Sequence, residues 1–321
     1  MNIGVFASGG DSPGMNAALR SVVRSAIQKG HTVFGIFNGY DGLIQDQIIE
    51  MDLRSVANIV HQGGTVIKSS RSKEFLNPEG RKKAYQNIKS KKLSVLIGLG
   101  GDGTIAGLQK FYEEYPDIQV VGVPCTIDND YIFSEDSIGF DTATNTAVEA
   151  MDRVRDTAGS HDRTFIIEVM GRKSSLLAYD VGIAGGAEFV LDINNPGELE
   201  DCIKVVSESI KKGKRASLII VLESKDKSIT SAAHFVKDKL DSKLSVDSRA
   251  VVLGHVQRGG KPSSHDRVLA STMGFYATSE LGGESGSVVK QNGQIMFLPF
   301  ARLKKVVIES NQKDLIETLA L

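Results

Sequence analysis

Val95-Leu96-Ile97-Gly98-Leu99-Gly100-Gly101-Asp102-Gly103-Thr104 is the stretch on which the reading of this chain turns. An apolar run breaks into bare glycines around one carboxylate and a hydroxyl. The pattern recurs on both sides. Val120–Val123 leads into Thr126-Ile127-Asp128-Asn129-Asp130, and Ile3–Ala7 leads into Gly9-Gly10-Asp11-Ser12-Pro13-Gly14. Further apolar runs at Thr32–Phe37, Thr164–Val169, Phe189–Ile193, Leu218–Leu222 and Ala250–Leu253 alternate with segments of helical character. Runs that are continuously apolar, rather than alternating, suit parallel strands covered on both faces. From about Met15 to Lys29 the chain predicts a helix with Leu19, Val22, Val23 and Ala26 facing a core. Arg20 and Arg24 share another face of it. This alternation predicts an α/β protein of two doubly wound domains, with mostly parallel sheets and helices on both faces.

Composition narrows the classes. The chain has 321 residues, 41% hydrophobic and 24% charged, with a net charge of −1. That suits a globular protein with full cores. It offers no global field to attract nucleic acid or membrane, so any basic function must come from local clusters. Cys125 and Cys202 are the only cysteines, too few for a disulfide framework or a zinc site. No apolar stretch approaches the ~20 residues that cross a bilayer, and the start has no signal-peptide pattern. The expected location is cytoplasmic.

The three turns carry the chemistry. Glycines before a helix expose backbone N–H groups, and a helix N-terminus adds a dipole that favours phosphate. The expected cap of the first helix is Asp11 or Ser12. Neither a Walker A sequence nor a GxGxxG fingerprint is present. Asp102, flanked by glycines, suits Mg²⁺ held jointly with nucleotide phosphates; a plain turn after a strand would look similar. Thr126, Asp128 and Asp130 place a hydroxyl and two carboxylates within five residues, enough to orient an acceptor hydroxyl and take its proton. A solvated acidic loop is the bland alternative. Among the arginines, Arg71, Arg163, Arg172, Arg249 and Arg258 are the candidates for the site, since a guanidinium fork suits phosphate oxygens. For any one of them alone a surface charge is the bland reading, which the flanking motifs reverse.

The motifs together resemble the 6-phosphofructokinase family, in its bacterial ATP-dependent form. The resemblance continues through Met170-Gly171-Arg172, Gly185-Gly186-Ala187-Glu188 and Gly254-His255-Val256-Gln257-Arg258-Gly259-Gly260, in order over nearly the whole chain. It implies a homotetrameric glycolytic enzyme that moves the γ-phosphoryl group of MgATP to the 1-hydroxyl of fructose 6-phosphate. Residues 1–139 with 257–303 would bind nucleotide and Mg²⁺; residues 140–256 with 304–321 would bind sugar phosphate. Asp128 is then the general base, and Thr126 and Arg172 contact the transferring group. Gly10, Arg71, Ser72, Asp102, Gly103 and Thr104 take the donor, with Asp102 on the metal. Met170, Gly171, Glu223, His255 and Arg258 hold the sugar phosphate, and Arg163 and Arg249 reach it from a neighbouring subunit.

Arg20, Arg24, Arg155, Glu188, Lys212, Lys214 and Arg215 match the family's effector site, for ADP or phosphoenolpyruvate, and Arg54 is an imperfectly placed eighth candidate. There Leu53 stands where an arginine is usual, with Arg54 one place later, which implies weakened or altered effector binding. Cys125 replaces a usual glycine and is expected beside the phosphate path, open to thiol reagents. The pyrophosphate-dependent branch typically has aspartate at the position of Gly103 and lysine at that of Cys125, so Gly103 favours ATP. A catalytically weak nucleotide-sensing homologue is the remaining alternative. NAD and lipid kinases share only the Gly100–Thr104 pattern.

Overall fold

The computed structural model describes residues 1–171, 174–244, 246–306 and 312–319. It divides into two compact units, Met1–Thr142 with Arg258–Ile308, and Ala143–Gln257 with Glu309–Leu321.

The first unit opens with β1 (Asn2–Ala7), α1 (Met15–Gln28), β2 (Thr32–Ile36), α2 (Gly39–Ile44) and β3 (Ile48–Met51). It continues through α3 (Pro78–Ser90), β4 (Leu93–Gly100), α4 (Asp102–Glu114), β5 (Gln119–Pro124) and the start of α5 (Phe140–His161). The second unit adds β6 (Thr164–Val169), α6 (Leu176–Gly185), β7 (Phe189–Leu191), α7 (Glu198–Lys211), β8 (Leu218–Leu222), α8 (Ala232–Leu244) and β9 (Ser248–Val252). A 3₁₀ turn, Gly254–Arg258, leads back to the first unit with α9 (Ser264–Tyr276), β10 (Gly286–Gln291) and β11 (Gln294–Pro299); α10 (Gln312–Leu319) belongs to the second. Among the described residues no helix is long and apolar enough to cross a membrane.

The first sheet has seven strands in the order β11-β10-β5-β4-β1-β2-β3. Its middle is parallel, and β3 and β11 are antiparallel edges. From β1 the chain winds one way to β2, then crosses back to β4 and β5 on the other side. That reversal makes the β1/β4 boundary the switch point, where a crevice opens beyond the strand ends. The second sheet, β7-β8-β6-β9, is parallel throughout.

Burial explains these elements. β1 is buried from Ile3 to Ala7, and β5, β6 and β8 along their whole lengths. In α1, Leu19, Val22, Val23 and Ala26 are fully buried against the same core as Val5, Ile97 and Val121. Burying a side chain of this size contributes roughly 1.5–3 kcal/mol. Sequence patterning does not reveal β3, β10 and β11: β3 buries only its ends and β11 is half-exposed. The predicted cap of α1 is also corrected. Gly14 holds the N-cap at φ 105°, with no side-chain cap. Ser12 instead donates its hydroxyl to the Ile138 carbonyl at 2.9 Å.

Candidate active site

The C-terminal ends of β1, β4 and β5 are neighbours, so their three turns converge at the switch point of the first sheet. Backbone bonds fix the convergence. Ser8 N–H donates to Leu99 O and Cys125 N–H to Gly100 O, each at 3.0 Å. The Thr104 hydroxyl donates to Ser8 O at 3.1 Å. A second layer brings in the segment before Arg71. Gly9 N–H donates to Ser70 O at 3.1 Å, the Ser69 hydroxyl to Gly9 O at 3.1 Å, and the Ser70 hydroxyl to Asn38 O at 2.8 Å. Arg71 is therefore exposed beside the first glycine turn, and the Ser72 hydroxyl accepts Phe75 N–H at 3.1 Å.

Gly100–Thr104 is more helical than a turn. Gly101 is the N-cap of α4 and Asp102 its first residue, where a carboxylate meets the favourable end of the dipole. Asp102 and Gly103 are exposed, and a Cβ at Gly103 would meet nothing within 4 Å. Thr104 is buried; its carbonyl accepts the Tyr40 hydroxyl at 2.6 Å. Tyr40 stacks on Phe75 with centroids 3.8 Å apart, which packs the base of this helix.

In the third turn Asp128 N–H donates to the Thr126 hydroxyl oxygen at 3.1 Å, and that hydroxyl lies 3.5 Å from Asp130 Oδ1. Asp128 is 7% exposed, in a shielded position. Asn129 turns the loop at φ 46° and donates to Glu135 O at 3.1 Å. A Cβ on Gly101 would touch Thr126 at 3.4 Å, so the second and third turns are in contact.

Arg258 reaches the first turn. A side chain on Gly10 would fall 1.6 Å from its Nη1, and Nη1 lies 3.5 Å from Asp11 O. Gly10, assigned from sequence to the donor, and Arg258, assigned to the sugar phosphate, are thus adjacent.

The second unit sorts its candidates to opposite ends of one sheet. Met170-Gly171 follow β6, Glu223 follows β8, and His255 lies just beyond β9. Glu223 N–H donates to Val169 O at 2.9 Å and Leu253 N–H to Glu168 O at 3.1 Å, which draws these three ends together. Arg163 precedes β6 and Arg249 sits near the start of β9, opposite Phe165. Asp247 joins the two arginines: it accepts Arg163 Nε at 2.9 Å and the Arg249 guanidinium. Burial works to raise the Asp247 carboxyl, but hydrogen bonds from Arg249 and Arg163 outweigh it and hold it below its ordinary value. Arg172 lies outside the described residues.

Of the effector candidates, Arg155, Glu188 and Lys214 gather around Gly185 and Gly186. Arg155 donates to both glycine carbonyls. The buried Glu188 carboxylate accepts Leu218 N–H and pairs with Lys214 Nζ at 2.8 Å. Lys212 caps α7, and Arg215 pairs with Asp162 at 3.2 Å. The basic run is therefore half neutralised within its own unit. A cleft of about 400 Å³ lies beside it, lined by Lys214, Arg215, Asp162 and Asp247. Arg20, Arg24 and Arg54 belong to the first unit; Arg24 and Arg54 are exposed and Arg20 is partly so.

Cys125 departs from its sequence reading. It is 0% exposed within the core cluster that includes Val123 and Ile138. Burial pushes its thiol far up, so the side chain faces away from solvent and is not a reactive nucleophile. Sequence reasoning also missed Asp247 and Asp266, each of which has a partner distant in the chain, Arg163 for Asp247 and Gly139 with Thr142 for Asp266. For Asp266 the one local signal is Ser263-x-x-Asp266, a helix-start pattern.

A doubly wound sheet with glycine-rich, carboxylate-bearing turns at its switch point defines an α/β phosphotransferase. Comparison with known proteins makes this particular. The chain belongs to the phosphofructokinase family, whose profile, described as "Phosphofructokinase", matches residues 2–281. It is 45% identical over 319 residues to a Thermus thermophilus protein named ATP-dependent 6-phosphofructokinase 1, covering 99% of this chain and 96% of that one. A Bacillus velezensis protein named ATP-dependent 6-phosphofructokinase is 43% identical, covering 99% of both chains. Among solved structures, Saccharomyces cerevisiae phosphofructokinase superposes with a TM-score of 0.84 at 34% identity, over 94% of this chain and 45% of the longer yeast chain. A pyrophosphate-dependent phosphofructokinase from Nitrosospira multiformis superposes equally well, TM-score 0.84, at 19% identity; that likeness shows the fold alone.

Proposed function

We propose that the chain is an ATP-dependent 6-phosphofructokinase, transferring the γ-phosphoryl group of ATP to the 1-hydroxyl of fructose 6-phosphate. The observation that carries this reading is the meeting of the Gly9-Gly10, Gly100–Thr104 and Thr126–Asp130 turns at one switch point. Phosphoryl transfer asks a protein mainly to position the reactants and stabilise charge. Backbone N–H groups at Gly10 and at the head of α4 receive phosphate oxygens. Asp128 takes the proton of the attacking hydroxyl, and its shielded position keeps water from competing for it. Thr126 orients the group in transit, and Arg172 with Arg71 balances its charge.

Asp102 fits Mg²⁺. Its carboxylate is exposed at a helix head beside open space at Gly103, and Mg²⁺ needs only one or two protein carboxylates when phosphates complete its shell. When bound, the ion supplies charge neutralisation on the donor phosphates. The same open space favours ATP over the pyrophosphate reading, in which a carboxylate would occupy it.

The sugar-phosphate site takes Met170, Gly171, Glu223, His255 and Arg258, with Arg163 and Arg249 from a neighbouring subunit of a homotetramer. The support is distance. Arg163 and Glu223 lie at opposite ends of strands of five to six residues, about 17 Å at roughly 3.3 Å per residue. One hexose phosphate cannot meet both in one chain. An effector such as ADP or phosphoenolpyruvate would use Arg155, Glu188, Lys212, Lys214 and Arg215 with Arg20, Arg24 and Arg54.

The deciding experiment supplies purified protein with fructose 6-phosphate and Mg²⁺ and compares ATP with pyrophosphate. ATP should give fructose 1,6-bisphosphate and ADP. A tenfold preference for pyrophosphate in kcat/KM, or no transfer from either, refutes the reading.

A further inference from the structure

Asp266 is fully buried in α9, yet its side chain does not serve that helix. Oδ1 accepts Gly139 N–H at 2.8 Å; Oδ2 accepts Thr142 N–H at 2.8 Å and also the Thr142 hydroxyl. These are donors at the start of α5, the orphan N–H groups that every helix leaves in its first turn. The arrangement is reciprocal. Ser263, the N-cap of α9, gives its N–H to Thr142 Oγ1 at 3.0 Å and its hydroxyl to Asp141 Oδ2 at 2.5 Å. Two helix N-termini cap each other, and Asp266 is the centre of the exchange.

Gly139 follows the Thr126–Asp130 turn and is tied to it through its neighbour. Its neighbour Ile138 accepts Thr126 N–H at 3.0 Å through its carbonyl and donates to Pro124 O at 3.0 Å. Ser137 gives its hydroxyl to Thr126 O at 2.8 Å. Thr126 in turn accepts Asp128 N–H. The first glycine turn is tied to the same point, since the Ser12 hydroxyl donates to Ile138 O at 2.9 Å. Contact here is too close for side chains: a Cβ on Gly139 would lie 2.5 Å from Ser12 Cβ, and one on Gly14 would lie 2.6 Å from Ile138 Cγ2. Both glycines also have strongly positive φ, 107° and 105°.

We propose that Asp266 is a positioning residue for the catalytic turn: through Gly139 and Ile138 it sets the register of Thr126 and Asp128 against the first glycine turn. This rests on the kinase reading above. Three donors converge on one carboxyl group; burial raises it above the ordinary range, and the bonds from Thr142 and Gly139 oppose that rise. An asparagine of the same shape would turn an NH₂ group toward one of them and release it. A shift of about 1 Å in a reacting group costs on the order of 10²-fold in rate.

The test compares wild type with Asp266→Asn and Thr142→Val, using steady-state kinetics with ATP and fructose 6-phosphate and peptide-resolved amide hydrogen exchange. Asp266→Asn should lower kcat by about 10–100-fold with both KM values within about threefold, and exchange should quicken in peptides covering 125–142 but not in those covering β6. Turnover within about twofold of wild type overturns the proposal. So does a fall in turnover accompanied by faster exchange everywhere, which marks a structural role. If Asp266→Asn does not fold, Thr142→Val decides: it keeps both backbone bonds and should still lower kcat several-fold, whereas full turnover overturns the proposal. If wild type transfers nothing from ATP, the kinase reading fails by itself. Exchange then decides this proposal, since local quickening supports it and unchanged exchange overturns it.

Discussion

Gly103 is the sharpest place to separate function from stability. It is the second residue of α4, exposed, with nothing within 4 Å of where a Cβ would stand. Glycine in a helix costs roughly 0.5–1 kcal/mol relative to alanine. Gly103→Ala should therefore stabilise the protein by that amount, raising Tm by about 1–3 °C in a chain of this size. Under the donor reading the same methyl group fills space that a phosphate needs. Losing one charge-assisted hydrogen bond costs about 1.5–3 kcal/mol, so ATP kcat/KM should fall about tenfold to a hundredfold. Gly103→Asp adds a charge. At about 5 Å and an effective dielectric near 20, its repulsion of a phosphate is about 3 kcal/mol, a further loss of roughly 10²-fold. Calorimetry and initial rates with varied ATP read both effects. A Gly103→Ala variant with raised Tm and unchanged kcat/KM would refute the donor role. A lowered Tm would refute the open geometry.

Asp128→Asn should keep substrate KM values while lowering turnover by about 10²–10⁴-fold; near wild-type turnover would remove Asp128 as the base. Mixtures of Asp128→Asn and Arg163→Ala subunits, each inactive alone, should regain activity if Arg163 serves a neighbour's site, and mixtures shown to exchange subunits yet still inactive would place each site within one chain. Arg81 holds Glu114 through two bonds of 2.7 Å and also donates to Phe75 O and Leu76 O. Its hydrogen bond keeps Glu114 below the ordinary 4.5, so this stabilisation is present above that value and is lost as pH falls through the lowered one. Glu114→Gln should cost about 1–3 kcal/mol at neutral pH and flatten the acid limb of Tm against pH; an unchanged limb would show that the pair contributes nothing there. Cys125 and Cys202 are both buried with raised thiols, so a thiol reagent should label neither until unfolding, and rapid labelling of Cys125 in native protein would contradict its place in the core.

What the sequence reveals follows the physics of burial. Strands covered on both faces announce themselves as apolar runs, and Thr164–Val169 and Leu218–Leu222 are found to the residue. Where one side of a strand is wet the signal fades, and β3 and β11 go unread. β9 begins two residues before its apolar run because Ser248 and Arg249 open it, the serine buried on the Asp241 carboxylate at 2.5 Å. The glycine turns of the site are legible because three of them, with bare backbone and carboxylates, follow apolar strand runs in turn, although any one alone would pass for a plain turn. Their fixings are not. Ser12 resembles a local helix cap, but its partner is Ile138, 126 residues away. Asp247 stands two residues from Arg249, but its other partner, Arg163, is 84 residues away.

The second sheet gives the strongest reason to think one chain is insufficient. Parallel strands place everything at their C-terminal ends on one side, and Met170, Glu223 and His255 obey that rule. Arg163 and Arg249 break it, sitting at the N-terminal ends with Asp247 between them. An exposed ion pair of this kind adds little to stability, so stability does not explain why two guanidinium groups are held side by side. Side by side, with Asp247 offsetting their repulsion, they form a fork suited to a phosphate. On the proposed reading that phosphate belongs to a sugar bound not at the far end of the same sheet but in another copy of the chain, which the subunit-mixing experiment tests. Occupancy of one subunit's site would then depend on how its neighbour is placed. That dependence is the physical requirement for coupling between sites.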